Sequence, residues 1–365
     1  MPLMPPDHIR QIRPYEPGKP VEEVERELGL SNTIKLASNE NPLGPSPLAV
    51  KALQRAIATA NRYPDGGGYY LCHALAERNG VSADQIVLGN GSTELVEILA
   101  RSYLGHDGNA VISEQAFIMY QIAVQAVNGN AIMVPMKGRT HDLDAMARAV
   151  NGKTRLIFVA NPNNPTGTSV GAAPLQRLLD AVPEGTLLVV DEAYREYAEG
   201  FADYPETLPL VRQGAPLVVL RTFSKIYGLA GLRIGYAIAP QWVVREVNKV
   251  RSPFNTNSLA QIAALAALKD REHLERSRQR NREGLKVLQE GLSELGFLVT
   301  PSVTNFVLVE VAQPARAAFE RLLKLGVIVR PMDGYGIEQG LRVSVGTREE
   351  NQRVLEAFDR ALKRP

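Results

Sequence analysis

Four short apolar runs, each closed at its C-terminal end by residues that carry chemistry, constrain this chain more than any other feature. Gln85–Leu88 runs into GNGSTE, Arg155–Ala160 into NPNNPTG, Leu187–Val190 into DEAY and Leu217–Leu220 into RTFSK. Runs rich in Val, Ile and Leu that lack polar alternation read as strands buried on both faces. A large domain with a mostly parallel, helix-covered sheet follows. In an open α/β sheet, ligands bind beyond the carboxyl ends of the strands. The polar groups at Ser92–Thr93, Asn164, Asp191–Tyr194 and Ser224–Lys225 all belong to that edge.

Each group has its own chemistry. Lys225 stands at the mouth of a strand among hydroxyls, with Arg233 eight residues on. Its amine can condense with an aldehyde cofactor, while the hydroxyls and Arg233 can hold a phosphate. Strand, glycine loop and helix start at GNGSTE form an anion site, because free N–H groups and the helix dipole favour a phosphate. That loop lacks the third glycine of a dinucleotide fingerprint and the Gly-Lys-Ser/Thr ending of a P-loop. Ser92 or Thr93 also serves as a helix cap in the plainer reading. Asp191 directly follows four apolar residues, so its carboxylate needs a cationic or hydrogen-bonding partner. Asn164 stands in a tight Pro- and Gly-punctuated loop. Phe117 and Tyr120 follow the strand Ala110–Ser113, where an aromatic can cover a flat ring or simply pack. Together these types fit pyridoxal phosphate: a lysine for the aldehyde, an acid for the ring nitrogen, donors for the ring hydroxyl and anion sites for the phosphate.

Composition narrows the class. The chain has 365 residues, 45% hydrophobic and 22% charged, as expected of a globular protein with more than one domain. A net charge of +2 and the lack of a Lys/Arg-rich block argue against nucleic acid as partner. The single cysteine, Cys72, excludes an intrachain disulfide and a cysteine-rich zinc site, and no metal is expected. The proline-rich start has no apolar h-region, and the apolar run near Leu259–Leu268 is too short to span a bilayer. A cytoplasmic protein with no membrane association is expected.

Along the chain, Met1–Pro20 reads as an extended arm and Val21–Leu30 as a short helix. RYPDGGGYY reads as a glycine loop framed by tyrosines. From Asn257 the pattern is helical: Ser258–Lys269 and Arg271–Leu295 are one long helix or two in succession. Strands at Phe297–Val299, Asn305–Val311, Val327–Arg330 and Leu341–Val345 follow, and Arg348–Lys363 closes the chain as a helix. Arg330 and Arg342 stand twelve residues apart on the last two strands. A hairpin there brings both guanidinium groups to one pocket.

The set GNGSTE, ANPNNPTG, VVDEAY and TFSKIYGLAGLRIGY resembles the fold-type I pyridoxal-phosphate aminotransferases. The finer pattern PYEPGKP, LASNENPLGPSP, RYPDGGGYYL and GVIVRPM…GLRVSVGT resembles the histidinol-phosphate aminotransferases, and the match runs from about Pro14 to Thr347. The resemblance implies an α/β fold with a mostly parallel seven-stranded sheet in a large domain, 39–256. It also implies a smaller α/β domain, 257–365, joined by an N-terminal arm, 1–38. It gives Lys225 as the residue bonded to the cofactor, Asp191 on the pyridine nitrogen, and Tyr194 and Asn164 on the ring oxygen. Phe117 stacks on the ring, where many relatives carry tyrosine. Ser92, Thr93, Ser224 and Arg233 hold the phosphate, joined by Tyr63 of the partner subunit in a homodimer with shared active sites. Tyr15, Asn164, Arg330 and Arg342 face the substrate. The implied reaction moves an amino group between L-histidinol phosphate and 2-oxoglutarate, giving imidazole acetol phosphate and L-glutamate in L-histidine biosynthesis. Its rivals are an aromatic amino-acid or prephenate aminotransferase, a decarboxylase on the same scaffold, and a transcription regulator. The last needs a DNA-binding domain, and the roughly 35 residues before the pattern are too few for one.

Overall fold

The computed structural model describes residues 3–105 and 107–362. Its strands in chain order are β1 (Ile34–Lys35), β2 (Ile86–Gly89), β3 (Asn109–Ser113), β4 (Asn130–Val134), β5 (Thr154–Ala160), β6 (Leu187–Asp191), β7 (Leu217–Thr222), β8 (Gly235–Ile238), β9 (Leu298–Thr300), β10 (Phe306–Glu310), β11 (Val327–Ile328), β12 (Arg330–Pro331) and β13 (Gly340–Ser344). Seven of them form one sheet in the order β2-β8-β7-β6-β5-β3-β4. The ladders from β7 through to β4 are parallel, and β8 lies antiparallel between β2 and β7. The mostly parallel, seven-stranded sheet is what the chain forms.

Alternation along each strand explains why helices cover both faces. Val87, Phe158, Val189 and Val218 share one apolar layer with the helices Gly91–Tyr103, Met119–Ala126 and Gln241–Val250. Leu88, Val159, Val190 and Val219 share the opposite layer with Tyr69–Asn79, Ala172–Asp180 and Ser258–Ala267. A second, four-stranded sheet, β12-β13-β10-β9, packs Val307 and Val343 against Leu288, Leu322 and Phe358 of three helices. β1 pairs in parallel with β11, so the segment before LASNENP joins this C-terminal part.

Several local expectations change. Part of the arm expected to be extended, Asp7–Arg10, makes a helical turn behind Pro6, where a proline's missing N–H is no loss. The helix at GNGSTE starts at Gly91, with Asn90 in the cap position. Ser92 and Thr93 therefore lie in its first turn and are not caps. Glu94 instead accepts the Asn90 N–H at 2.6 Å. Tyr69 and Tyr70 open a helix where a loop was expected, because the Asp65 carboxylate accepts from Gly67 N and Tyr69 N at 2.9 and 2.6 Å. After Asn257 the two-helix alternative is the one that forms, parted at Asp270, whose side chain accepts the His273 N–H. The expected strand Val327–Arg330 splits between two sheets at Val329. Met1 and Pro2 of the arm and Lys363 of the closing helix lie outside the described residues. Among the described residues, no helix is long and apolar enough to cross a membrane.

Candidate active site

Sheet register brings the polar strand ends together. Ala160 lies opposite Asp191 and Asp191 opposite Leu220, so the ends of β5, β6 and β7 are neighbours. Gly89, at the end of β2, faces Gly235, which in turn faces Thr222 on β7. This places the first turn of the helix Gly91–Tyr103 beside Ser224. Ser92, Thr93, Phe117, Asn164, Asp191, Tyr194, Ser224, Lys225 and Arg233 all line one cavity, together with Tyr120 and Thr222.

One end of the cavity is built for an anion. Arg233 has a left-handed backbone, φ 55°, and its guanidinium lies 3.3 Å from Ser224 Oγ. A Cβ on Gly91 would meet Arg233 Nη2 at 2.2 Å, and one on Gly235 would meet Ser92 N at 2.6 Å. Only glycines let the turn, the strand and the guanidinium close into this cradle.

The opposite wall holds the reactive groups. Lys225 Nζ lies 5.5 Å from the centroid of the Tyr194 ring and donates to Ser38 O at 3.4 Å. Burial pushes its amine down to about 8, and the Arg342 guanidinium adds to the effect. Asp191 is buried at the end of β6, with Oδ2 accepting from Tyr120 Oη at 2.9 Å and Oδ1 from Ala193 N at 3.1 Å. Burial pushes its carboxyl up to about 6, against the pull of those two hydrogen bonds. The Tyr194 hydroxyl accepts from Asn39 Nδ2 at 2.9 Å. Phe117 sets its ring edge-on to Tyr120 at 5.6 Å.

The two arginines meet as direct cross-strand partners, Arg330 opposite Arg342, and so share a face of the small sheet. Arg342 is buried, donates to Asn164 Oδ1 at 2.6 Å and to Ala37 O at 2.7 Å, and so touches the cavity wall. Arg330 lies over the Tyr15 ring at 5.3 Å, donates to Glu16 O, and lines an adjoining cavity with Tyr15 and Tyr335, so the two guanidinium groups, though cross-strand partners, do not line one cavity as expected. Tyr63 is not part of either cavity. It is 83% exposed and stacks on Phe254 at 4.7 Å.

A larger cavity, about 1090 Å³, lies on the sheet's other side among Arg78, Glu196, Arg221 and Arg278. Its buried centre, Arg221, is already paired with Glu192 at 2.7 Å. Size therefore does not mark the site; converging chemistry does. Sequence reasoning left out Asn39 and the hydroxyl role of Tyr120. The spacing of Phe117 and Tyr120 was a usable signal for the second. Nothing local announces the Asn39 backbone, φ 56°, that aims its amide at Tyr194.

The donor set fits pyridoxal phosphate. The cradle matches its phosphate, the Asp191 carboxylate its ring nitrogen, Phe117 its ring face and the Lys225 amine its aldehyde. Among the described residues, no cluster of His, Cys, Asp and Glu suits a metal ion.

Comparison with known proteins agrees. The aminotransferase class I and II family model matches residues 31–358. A histidinol-phosphate aminotransferase of Moorella thermoacetica is 49% identical over 97% of this chain and 91% of its own length. A histidinol-phosphate aminotransferase 2 of Pseudomonas fluorescens is 51% identical over 98% of this chain and 96% of its own. The crystal structure of histidinol-phosphate aminotransferase from Sinorhizobium meliloti, in complex with pyridoxal-5'-phosphate, superposes with a TM-score of 0.89 at 29% identity, covering 98% of this chain and 96% of that one. With its cavity, its sheet and these relatives in agreement, the chain belongs to the class I and II aminotransferases, among the histidinol-phosphate aminotransferases.

Proposed function

We propose that this protein transfers an amino group between L-histidinol phosphate and 2-oxoglutarate, giving imidazole acetol phosphate and L-glutamate in L-histidine biosynthesis. One arrangement carries the reading: Asp191 at the end of β6 and Lys225 just beyond the neighbouring β7 line a single cavity with an anion cradle, and Arg342 donates to Asn164 of its lining. Pyridoxal phosphate, when bound, supplies an aldehyde that takes up the amino group and a ring that accepts electrons from the carbon beside it. Ser92, Thr93, Ser224 and Arg233 would bind its phosphate. Asp191 would hold a proton on its ring nitrogen, Tyr194 and Asn164 would hydrogen-bond its ring oxygen, and Phe117 would cover its ring. Burial holds the Lys225 amine down to about 8, so a larger fraction of it is neutral near neutral pH than of an exposed lysine. Its Nζ would take the proton from the amino-bearing carbon of the substrate and deliver it to the carbon that carried the cofactor's aldehyde, and would run the same transfer in reverse in the other half-reaction.

Arg342 and Arg330 bind the substrate's anionic group, since a guanidinium offers paired planar donors to a carboxylate or a phosphate in turn. Tyr15 closes over Arg330. The division into an arm, 1–38, a large domain, 39–256, and a small domain, 257–365, belongs to the same reading. The pairing of β1 with β11, which ties the arm to the C-terminal part, supports it. A cytoplasmic location and a homodimer in which Tyr63 of the partner subunit completes the phosphate site also belong to this reading.

Single-turnover kinetics of each half-reaction with histidinol phosphate, histidinol, glutamate and phenylalanine test the substrate. Histidinol phosphate should react far faster than histidinol or phenylalanine. Arg342→Ala and Arg330→Ala should each weaken both half-reactions by about 2–4 kcal/mol, because an anion is left unpaired in a closed site. Phenylalanine reacting best would hand the assignment to the aromatic aminotransferases. Release of carbon dioxide without need of 2-oxoglutarate would hand it to the decarboxylases.

A further inference from the structure

We infer that Tyr120 is a positioning residue for the reaction, its hydroxyl fixing the Asp191 carboxylate in the orientation that faces the cavity. The inference rests on the reading of Asp191 as the partner of the cofactor's ring nitrogen. A carboxylate held through one oxygen still turns about its last side-chain bond. Asp191 is held through both. Oδ1 accepts from Ala193 N at 3.1 Å, on its own strand's exit, and Oδ2 accepts from Tyr120 Oη at 2.9 Å, on another element. The two donors come from different directions and leave the remaining lone pairs for the cavity.

The phenol is itself held in place. Tyr120 is fully buried, so its hydroxyl needs an acceptor, and Asp191 supplies it. Its ring stacks on Phe158 of β5 at 4.9 Å and 7°, and Phe117 closes on it edge-on at 5.6 Å and 88°. β5 is the direct neighbour of β6, which carries Asp191. The same packing that builds the sheet core therefore fixes where the hydroxyl points. Phe117, which covers the cavity, also presses on the ring that orients the carboxylate. Ring stacking and carboxylate orientation are thus linked through one side chain.

The test is a double-mutant cycle on the cofactor-loaded enzyme, with Tyr120→Phe, Asp191→Asn and both together. Tyr120→Phe keeps the ring packing and removes only the donor. Three quantities are read: the dissociation constant of pyridoxal phosphate by equilibrium dialysis, kcat, and KM for histidinol phosphate. Tyr120→Phe should weaken cofactor binding and lower kcat by about tenfold each, with KM within about twofold. In the Asp191→Asn background the same change should cost less than about twofold, because the hydroxyl acts through the carboxylate. Equal losses in both backgrounds overturn the inference. So does a variant that melts earlier but binds cofactor and turns over like wild type, since that is a packing role only. If Asp191→Asn itself binds cofactor and turns over normally, the reading of Asp191 falls and takes this inference with it. A crippled Asp191→Asn beside a normal Tyr120→Phe sinks the inference alone.

Discussion

Lys225 shows how one side chain couples chemistry to stability. An exposed lysine titrates near 10.5, and burial brings this one down to about 8. Between those values the unfolded chain binds more protons than the folded one, so the lysine makes the cofactor-free protein more stable as pH rises. Below pH 8 the full penalty of holding a buried ammonium applies. Lys225→Met should therefore stabilise the cofactor-free protein near pH 7 by roughly 2–3 kcal/mol. The gain should shrink as pH climbs toward 10.5, and turnover should be lost altogether. Urea unfolding of both proteins across that range checks the sign; an advantage that is flat with pH would remove burial of the charge as its cause. Asp191 runs the other way. Its carboxyl is pushed up to about 6, so it disfavours the cofactor-free fold above that pH, until a cationic partner occupies the cavity.

At the scale of elements, the anion cradle depends on close approach of β8 to the first turn of the helix Gly91–Tyr103. A Cβ on Gly235 would meet Ser92 N at 2.6 Å, Gly91 C at 2.8 Å and Arg221 O at 2.9 Å. All three are backbone atoms and none can swing away. Gly235→Ala should push the helix turn off the strand, cost about 1–3 kcal/mol of stability, and weaken cofactor binding. Thermal unfolding with and without pyridoxal phosphate separates the two effects. Unchanged affinity would show that the cradle tolerates the displacement. The β12–β13 pair makes a similar point about register, since a slip of one residue would move Arg330 off the face that it shares with Arg342.

At the scale of the molecule, the segment with Tyr63 is the part of the proposed site that a single chain leaves outside its cavity. Tyr63 rests on Phe254, and Tyr69 and Tyr70 beside it are also exposed. Two copies related by a two-fold axis would cover these rings and bring each Tyr63 to the other's phosphate cradle. Tyr63→Ala and Lys225→Ala proteins should each be impaired alone. Each mixed dimer should have about half of wild-type activity, and a random equal mixture about a quarter overall, because one of two sites is intact in each mixed dimer. Sedimentation showing an active monomer, or no recovery on mixing, would remove the shared site.

The amino-acid sequence by itself determined the strands and the chemistry at their ends. The runs Leu187–Val190 and Leu217–Leu220 of β6 and β7 are apolar on both faces and lead directly into Asp191 and into Arg221 to Lys225, so their burial and their ligand edge could be read residue by residue. It did not determine where helices begin when a side chain several residues away supplies the cap. Asp65 starts the helix at Tyr69 and Glu94 caps Asn90, and neither contact follows from propensity. Only the tertiary structure decided which ends meet: strand order puts Ala160, Asp191 and Leu220 side by side, and places Arg342 against Asn164. The physical reason is range. Periodicity and turn chemistry act over a few residues, whereas the Tyr120–Asp191 and Arg342–Asn164 hydrogen bonds join residues 71 and 178 positions apart and exist only once the sheets have packed.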